Sequence, residues 1–238
     1  MSLDKSSDRV QRMFGQIAGR YDFLNRLLSL GIDRRWRRKT VRKVPPRGDA
    51  PILDVCTGTA DLALMYWRAG GGRTPVVGTD FCGPMLAVGR EKCRRAGAER
   101  DVTLLEADTL HLPFADDSFQ IVSVAFGLRN LCDTDAGLRE MTRVCQPDGR
   151  VAILEFSTPQ CWPIGPLYAW YFLKVLPRVG QALARNNQSA YNYLPQSVVQ
   201  FPQGEALVRR MEAAGLRDVR FHRLTFGIAT LYIGEKSS

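Results

Sequence analysis

One stretch constrains the fold of this chain more than any other: Pro51-Ile52-Leu53-Asp54-Val55-Cys56-Thr57-Gly58-Thr59-Ala60-Asp61, where an apolar run meets an acid and turns through small residues. It reads as strand, tight turn and then helix from Leu62. The short side chains of Thr57, Gly58, Thr59 and Ala60 let a ligand approach the backbone, and the N–H groups of the following helix face the same spot. About twenty residues further on, Pro75-Val76-Val77-Gly78-Thr79-Asp80 reads as a second short strand ending in an acid, placed to hold the two hydroxyls of a ribose. The pair predicts a doubly wound α/β domain that binds an adenosine-containing cofactor. The dinucleotide fingerprint Gly-x-Gly-x-x-Gly is not met, since Cys56 and Ala60 stand where glycines are wanted. S-adenosylmethionine (SAM) has no pyrophosphate to cradle and suits the turn better than NAD. The plainer alternative is a small-residue turn that only packs strand on helix.

The rest of the chain alternates in the same way. Val102-Thr103-Leu104-Leu105 reads as the third strand, and Asp108 after it is placed to reach an adenine amine or to form a turn. Phe119 to Val124 is the fourth strand and leads straight into Ala125-Phe126-Gly127-Leu128-Arg129-Asn130. Open α/β sheets bind ligands at the carboxyl edge where this segment falls. A turn at Pro147-Asp148-Gly149-Arg150 precedes a fifth strand, Val151 to Glu155, and strands at 219–224 and 229–234 close the chain. The expected architecture is a doubly wound, seven-stranded, mostly parallel sheet of Rossmann-like class. Residues 1–47 form a helical cap and basic segment and 48–238 the cofactor domain, effectively one unit.

Apolar residues from Val10 to Leu28 fall at helical spacing, and two helices with a break near Gly19 to Asp22 are expected over the site. Residues 157–201 break the alternation, as lids and binding loops do. The aromatic run Trp162 to Pro177 within them is interrupted by prolines and Lys174, so it is too short to span a membrane. It is expected to pack as an extra helix, and equally to line an opening for a greasy substrate.

The formal net charge of +9 favours an anionic partner. Its densest cluster, Arg34-Arg35-Trp36-Arg37-Arg38-Lys39 with Arg42, Lys43 and Arg47, reads either as a Trp-anchored patch on anionic lipid or as a solvated helix with Trp36 and Val41 packed inward. Six cysteines without a C-x-x-C pair and two distant histidines argue for reduced thiols and against zinc. The polar first residues carry no signal-peptide pattern. A cytoplasmic protein is expected, at most peripheral at the inner face of the plasma membrane.

In this order the pieces resemble the SAM-dependent C-methyltransferases of menaquinone and ubiquinone biosynthesis over nearly the whole chain. The resemblance rests on Phe14-x-x-Ile17-Ala18-x-x-Tyr21-Asp22-x-x-Asn25, Leu53 to Asp61, Phe126-Gly127-Leu128-Arg129-Asn130, Arg139-Glu140-Met141-x-Arg143-Val144, Leu176-Pro177-x-x-Gly180 and Tyr191-x-Tyr193-Leu194-Pro195-x-Ser197. The Phe-Gly-Leu-Arg-Asn box and the Tyr-x-Tyr-Leu segment are the most specific. The resemblance implies SAM as cofactor, with Thr59, Asp80, Asp108 and Thr109 at contacting positions. The full expected set adds Asp54, Thr57, Gly58, Phe81 and Ala125. Ala60 replaces the usual last glycine of the turn, and Ala125 a serine of some members. The Cys-Thr-Gly-Thr turn leans toward the menaquinone branch.

The reaction so implied is methyl transfer to a ring carbon of a prenylated quinol, converting demethylmenaquinol to menaquinol or acting in the ubiquinone branch. Ring carbon is a weak nucleophile until a neighbouring phenol gives up its proton, which calls for a base within hydrogen-bond reach. Arg129 is assigned to the developing phenolate charge and Asp61 to proton acceptance through water, with Asn130 beside them. The alternatives are a helix cap for Asp61 and an ion pair with an acid such as Glu155 for Arg129. His111 reads as packing or surface. No Asp/Asn-Pro-Pro-aromatic box follows strand four, which argues against nucleic acid as partner. A non-catalytic member of a quinone-biosynthesis complex and a homodimer are the other arrangements considered.

Overall fold

The computed structural model of the protein describes residues 7–29, 31–171 and 188–237. Its strands are β1 (Ile52–Val55), β2 (Val76–Asp80), β3 (Val102–Glu106), β4 (Phe119–Ala125), β5 (Cys145–Phe156), β6 (Leu216–Leu224) and β7 (Ala229–Lys236). They form one sheet in the order β3-β2-β1-β4-β5-β7-β6. The first five are parallel, and β7 runs antiparallel to both β5 and β6. The helices are α1 (Ser7–Leu28), α2 (Asp33–Lys43), α3 (Asp61–Ala69), α4 (Gly83–Ala96), α5 (Thr134–Val144), α6 (Ile164–Trp170), α7 (Gln188–Gln200) and α8 (Glu205–Ala213).

Period-two alternation along the strands sends side chains to two cores. Leu53, Val55, Val122 and Val124 pack with Leu138 and Met141 of α5 and Leu207 and Met211 of α8. Ile52, Val76 and Ile121 face the other way, against Val41 of α2, Leu62 and Tyr66 of α3 and Leu86 of α4. With both faces covered, strands such as β1 are buried throughout and read as unbroken apolar runs. Gly97 ends α4 in the left-handed conformation at φ 70°, which glycine adopts without strain.

Two expectations are corrected, and of the two readings of Trp36 the inward-packed one holds. Residues Ser7–Leu28 form one helix, not two. Gly19 costs a helix about 1 kcal/mol, and the packing of Ala18, Phe14 and Tyr21 on Cys82 and Met85 carries the helix across it. The turn at 147–150 lies inside a continuous β5: the register jumps from Phe119↔Cys145 to Ile121↔Arg150, and Asp148 sits at φ 58°. The extra residues bulge outward while the strand resumes. Trp36 is no membrane anchor. It is 4% exposed, donates through Nε1 to Thr225 Oγ1 at 2.8 Å, and packs with Phe126 and Leu231, while Val41 is likewise buried.

Leu176, Pro177 and Gly180 of the expected motif, and the end of the aromatic run from residue 172, lie outside the described residues. Among the described residues, no helix is long and apolar enough to cross a membrane.

Candidate active site

The strand order reverses between β1 and β4, and the cleft opens at their carboxyl ends. It holds about 420 Å³ of empty space, its solvent-open part included, and is lined by Phe14, Tyr21, Cys56, Gly58, Asp80, Phe81, Met85, Ala125, Phe126, Gly127, Asn130 and Leu131. Helix α1 lies over it. Gln11 Nε2 donates to the Phe81 carbonyl at 2.7 Å, and Val10 and Met13 pack with Tyr193 of α7.

Of the expected cofactor residues, Gly58, Asp80, Phe81 and Ala125 line the cleft. Asp80 ends β2 with one carboxylate oxygen accepting from Gly58 N at 2.8 Å and the other from Cys82 N at 2.9 Å. Burial nevertheless raises its pKa to about 6. Asp54 stands behind the turn, fully buried, accepting from Thr57 Oγ1 at 2.7 Å and Ser123 Oγ at 2.8 Å. Burial lifts it to about 6 as well. Asp54 and Thr57 therefore brace the turn from beneath rather than face the cleft. Thr109 is buried against Cys56 Sγ at 3.4 Å, and Asp108 is exposed with Oδ1 accepting from Leu110 N at 3.0 Å. His111 is exposed too.

Thr59 and Asp61 are spent on a polar clasp that nothing in the sequence announced. Thr59 Oγ1 donates to Asp22 Oδ1 of α1 at 2.6 Å, and Lys92 of α4 reaches Asp22 at 2.9 Å, Thr59 at 3.1 Å and Asp61. Burial pushes the Asp61 carboxyl up, but the Lys92 and Arg37 charges outweigh it and hold it below its ordinary value. A carboxylate that is already paired and weakly basic, and absent from the cleft wall, is poorly suited to accept a proton. The assignment of Asp61 as proton acceptor is therefore not carried forward. Asp22 sits in the Tyr21-Asp22 motif, but no local pattern singles out Lys92 as its partner.

The segment after β4 turns sharply at Phe126, φ 64°. A Cβ on Gly127 would lie well inside contact distance of Cys56 Cβ, so only glycine lets the β1 and β4 ends approach this closely. Phe126 stacks on Phe156 at 4.4 Å, with Trp36 at 6.0 Å from both rings. Arg129 is 4% exposed, pairs through NH1 with Glu155 Oε2 at 2.8 Å, and lies over the Phe156 ring. The pairing with Glu155 is thus present, and it leaves Arg129 Nε buried with no hydrogen-bond partner among the described residues. Asn130, in the cleft wall, leaves its Oδ1 in the same condition. A buried donor and a buried acceptor on adjacent residues each await a partner.

A cleft with a carboxylate on one wall, aromatic rings on two others and an unpartnered amide oxygen fits an adenosine-bearing sulfonium compound. SAM-dependent methyltransferases are among the proteins of known structure that share this fold. One from Aquifex aeolicus superposes with a TM-score of 0.61 at 19% identity, covering 84% of this chain and 88% of that one. Another, from Thermotoga maritima, gives 0.63 at 15% identity over 95% and 99%. The fold is that of class I SAM-dependent methyltransferases, and SAM is the cofactor. More narrowly, residues 2–236 match the ubiE/COQ5 methyltransferase family, and the chain belongs to it. The ubiquinone/menaquinone biosynthesis C-methyltransferase UbiE of Citrifermentans bemidjiense is 47% identical over 235 residues, 99% of each chain. The demethylmenaquinone methyltransferase of Thermus thermophilus is 48% identical over 224 residues, 94% of this chain and all of that one.

Proposed function

We propose that this protein methylates a ring carbon of a prenylated quinol, in the menaquinone branch of quinone biosynthesis. The observation that carries the reading is the adjacent pair of unpartnered buried groups, Arg129 Nε and Asn130 Oδ1. A hydroquinone O–H can donate a hydrogen bond to Asn130 Oδ1 while its proton passes to water in the solvent-open cleft, and Arg129 stabilises the oxygen as it gains negative charge. The methyl leaves sulfur for the ring carbon, and S-adenosylhomocysteine is released. SAM supplies the electrophilic methyl and its own leaving group. The chain supplies alignment and charge. Asp80 would accept from the ribose hydroxyls, Phe81 and Ala125 would flank the nucleoside, and Asp108 would offer its second oxygen to the adenine amine. Glu155 holds the Arg129 guanidinium in place, and the Phe126 and Phe156 rings exclude water beside it. Because a prenyl tail partitions into lipid, the reaction belongs at a membrane face, reached from the cytoplasm.

Incubation with labelled SAM and a panel of demethylated quinols, followed by mass spectrometry, tests this. One methyl on a ring carbon of a demethylnaphthoquinol is expected. Label in RNA or protein with none in any quinol would discard the reading.

A further inference from the structure

We propose that Trp162 and Phe226, flanked by a cationic strip from α2 and β6, form a docking surface for an anionic lipid bilayer beside the acceptor end of the cleft. This rests on the prenylated-quinol reading above. Trp162 is 85% and Phe226 68% exposed, although both are large apolar side chains. They are neighbours: Cys161 Sγ lies 3.7 Å from the Phe226 carbonyl. Phe226 stands at the tip of the β6–β7 connection at φ 59°, a backbone conformation that L side chains adopt at a cost, and one that is kept here while the ring faces solvent. Residue 225, just before it, is the one that anchors buried Trp36, so α2 is fastened directly against this tip.

From there the cations continue. Arg35, Lys39 and Lys43 recur every four residues along α2 and are exposed, on the flank opposite to no acid: residues 34–48 contain none. Arg220 and His222 of β6 close the strip. Burial together with the charges of Lys43, Lys39 and Arg220 depresses the His222 pKa, which places those cations around one spot. Residues 219–234 also lack any acid. Among the described residues the strip thus presents positive charge, drawn from two segments without acids, beside two exposed aromatic side chains. Aromatic rings settle at the headgroup level of a bilayer, and lysines and arginines beside them meet anionic headgroups. The tip lies next to the site: Phe156 touches both Trp36 and Phe126, and Arg129 lies over Phe156. A quinol ring leaving the lipid here has little distance to cover.

The test is flotation of the full chain with quinol-free vesicles, alongside turnover on a demethylated quinol with a tail short enough to dissolve in water. Wild-type protein should float with vesicles of equal parts phosphatidylglycerol and phosphatidylcholine and stay behind with phosphatidylcholine alone. Trp162→Ser with Phe226→Ser, and separately Lys39→Glu with Lys43→Glu, should each cut partitioning about tenfold or more while leaving short-tail turnover unchanged. The charge-reversal pair lies on an exposed helix face, so it stays informative should the aromatic pair fail to fold. Wild-type protein that ignores anionic vesicles, or variants that float as wild type, would overturn the docking surface. So would a strip whose reversal abolishes binding to a short RNA but not to vesicles. Vesicle binding without turnover on any quinol would instead remove the acceptor assignment and leave the surface standing.

Discussion

The floor of the cleft and the helix across it are fastened by opposite means. The floor is the carboxyl edge of β1, β2 and β4, where Asp54, Asp80 and Arg129 are at most 8% exposed and each is held by partners on other strands or turns. The roof is α1, held at its far end by Asp22, Lys92, Asp61 and Thr59, with the charged side chains about one-fifth exposed. Fully buried charges are the costliest to strand, whereas pairs about one-fifth exposed are partly screened and cost less to break. The geometry therefore provides a floor fastened by fully buried charges and a roof fastened by a partly exposed clasp together with apolar packing.

Arg129→Ala breaks the floor most severely. It strands Glu155, 1% exposed, without its cation. Removing one partner of a buried pair costs roughly 3–5 kcal/mol, which for a chain of this size lowers Tm by about 6–20 °C. Thermal denaturation measures it, and at temperatures where the variant is folded, methyl transfer should fall far more than SAM binding. Equal losses of both would show that Arg129 only holds the floor.

Asp80→Asn comes next. The neutral amide loses charge-assisted acceptance, worth about 1.5–3 kcal/mol, so SAM affinity measured by calorimetry should weaken by about 10- to 100-fold. A pH series sharpens this. In the folded chain Asp80 takes up its proton as pH falls through about 6, and the protonated form accepts less well. Wild-type affinity should therefore fall as pH drops below about 6, and the variant should lack that slope. The sign for stability is opposite. Between the ordinary carboxyl value of 3.8 and about 6, the folded state holds a proton the unfolded state has lost, so this group's contribution decreases as pH rises through that window.

Gly127→Ala presses a methyl onto Cys56 and should cost about 1–3 kcal/mol. Cys56→Gly in the same chain should recover much of it, since Cys56 itself sits at φ 49°. A double-mutant cycle in urea reads the coupling. Lys92→Met is the mildest in stability, at about 1–2 kcal/mol, between the exposed-pair and buried-pair ranges, because Asp22 and Asp61 are left about one-fifth exposed without their cation. It should nonetheless raise hydrogen exchange in α1 and speed SAM dissociation severalfold. A variant with unchanged exchange would mean that apolar packing alone holds the roof.

What the sequence made legible follows the same division. Local patterns found the strand-turn-helix unit, Asp80, and the Phe126 to Asn130 segment, because strand runs and turn residues act through near neighbours. Pairings set by tertiary packing were reached only as open alternatives, as with Arg129 and Glu155, or not at all. Lys92 sits on a helix with nothing nearby to mark it, Asp61 looks the same capped, catalytic or clasped, and Trp36 in a run of arginines resembles a lipid anchor until Thr225 is seen beside it. Family resemblance supplied the site motifs, yet only the coordinates separated Asp54 and Thr57 beneath the turn from Gly58 and Asp80 facing the cleft.

The placement of β7 has a consequence for how the chain is made. It is synthesised after β6 yet lies between β6 and β5. Until it emerges from the ribosome, the long β5 strand has a bare edge with Val151, Ile153 and Leu154, all buried in the finished sheet, beside it. Such an edge is a template for pairing with other chains. The nascent protein is thus most exposed to misassembly over the long interval between completion of the fifth strand and arrival of the seventh.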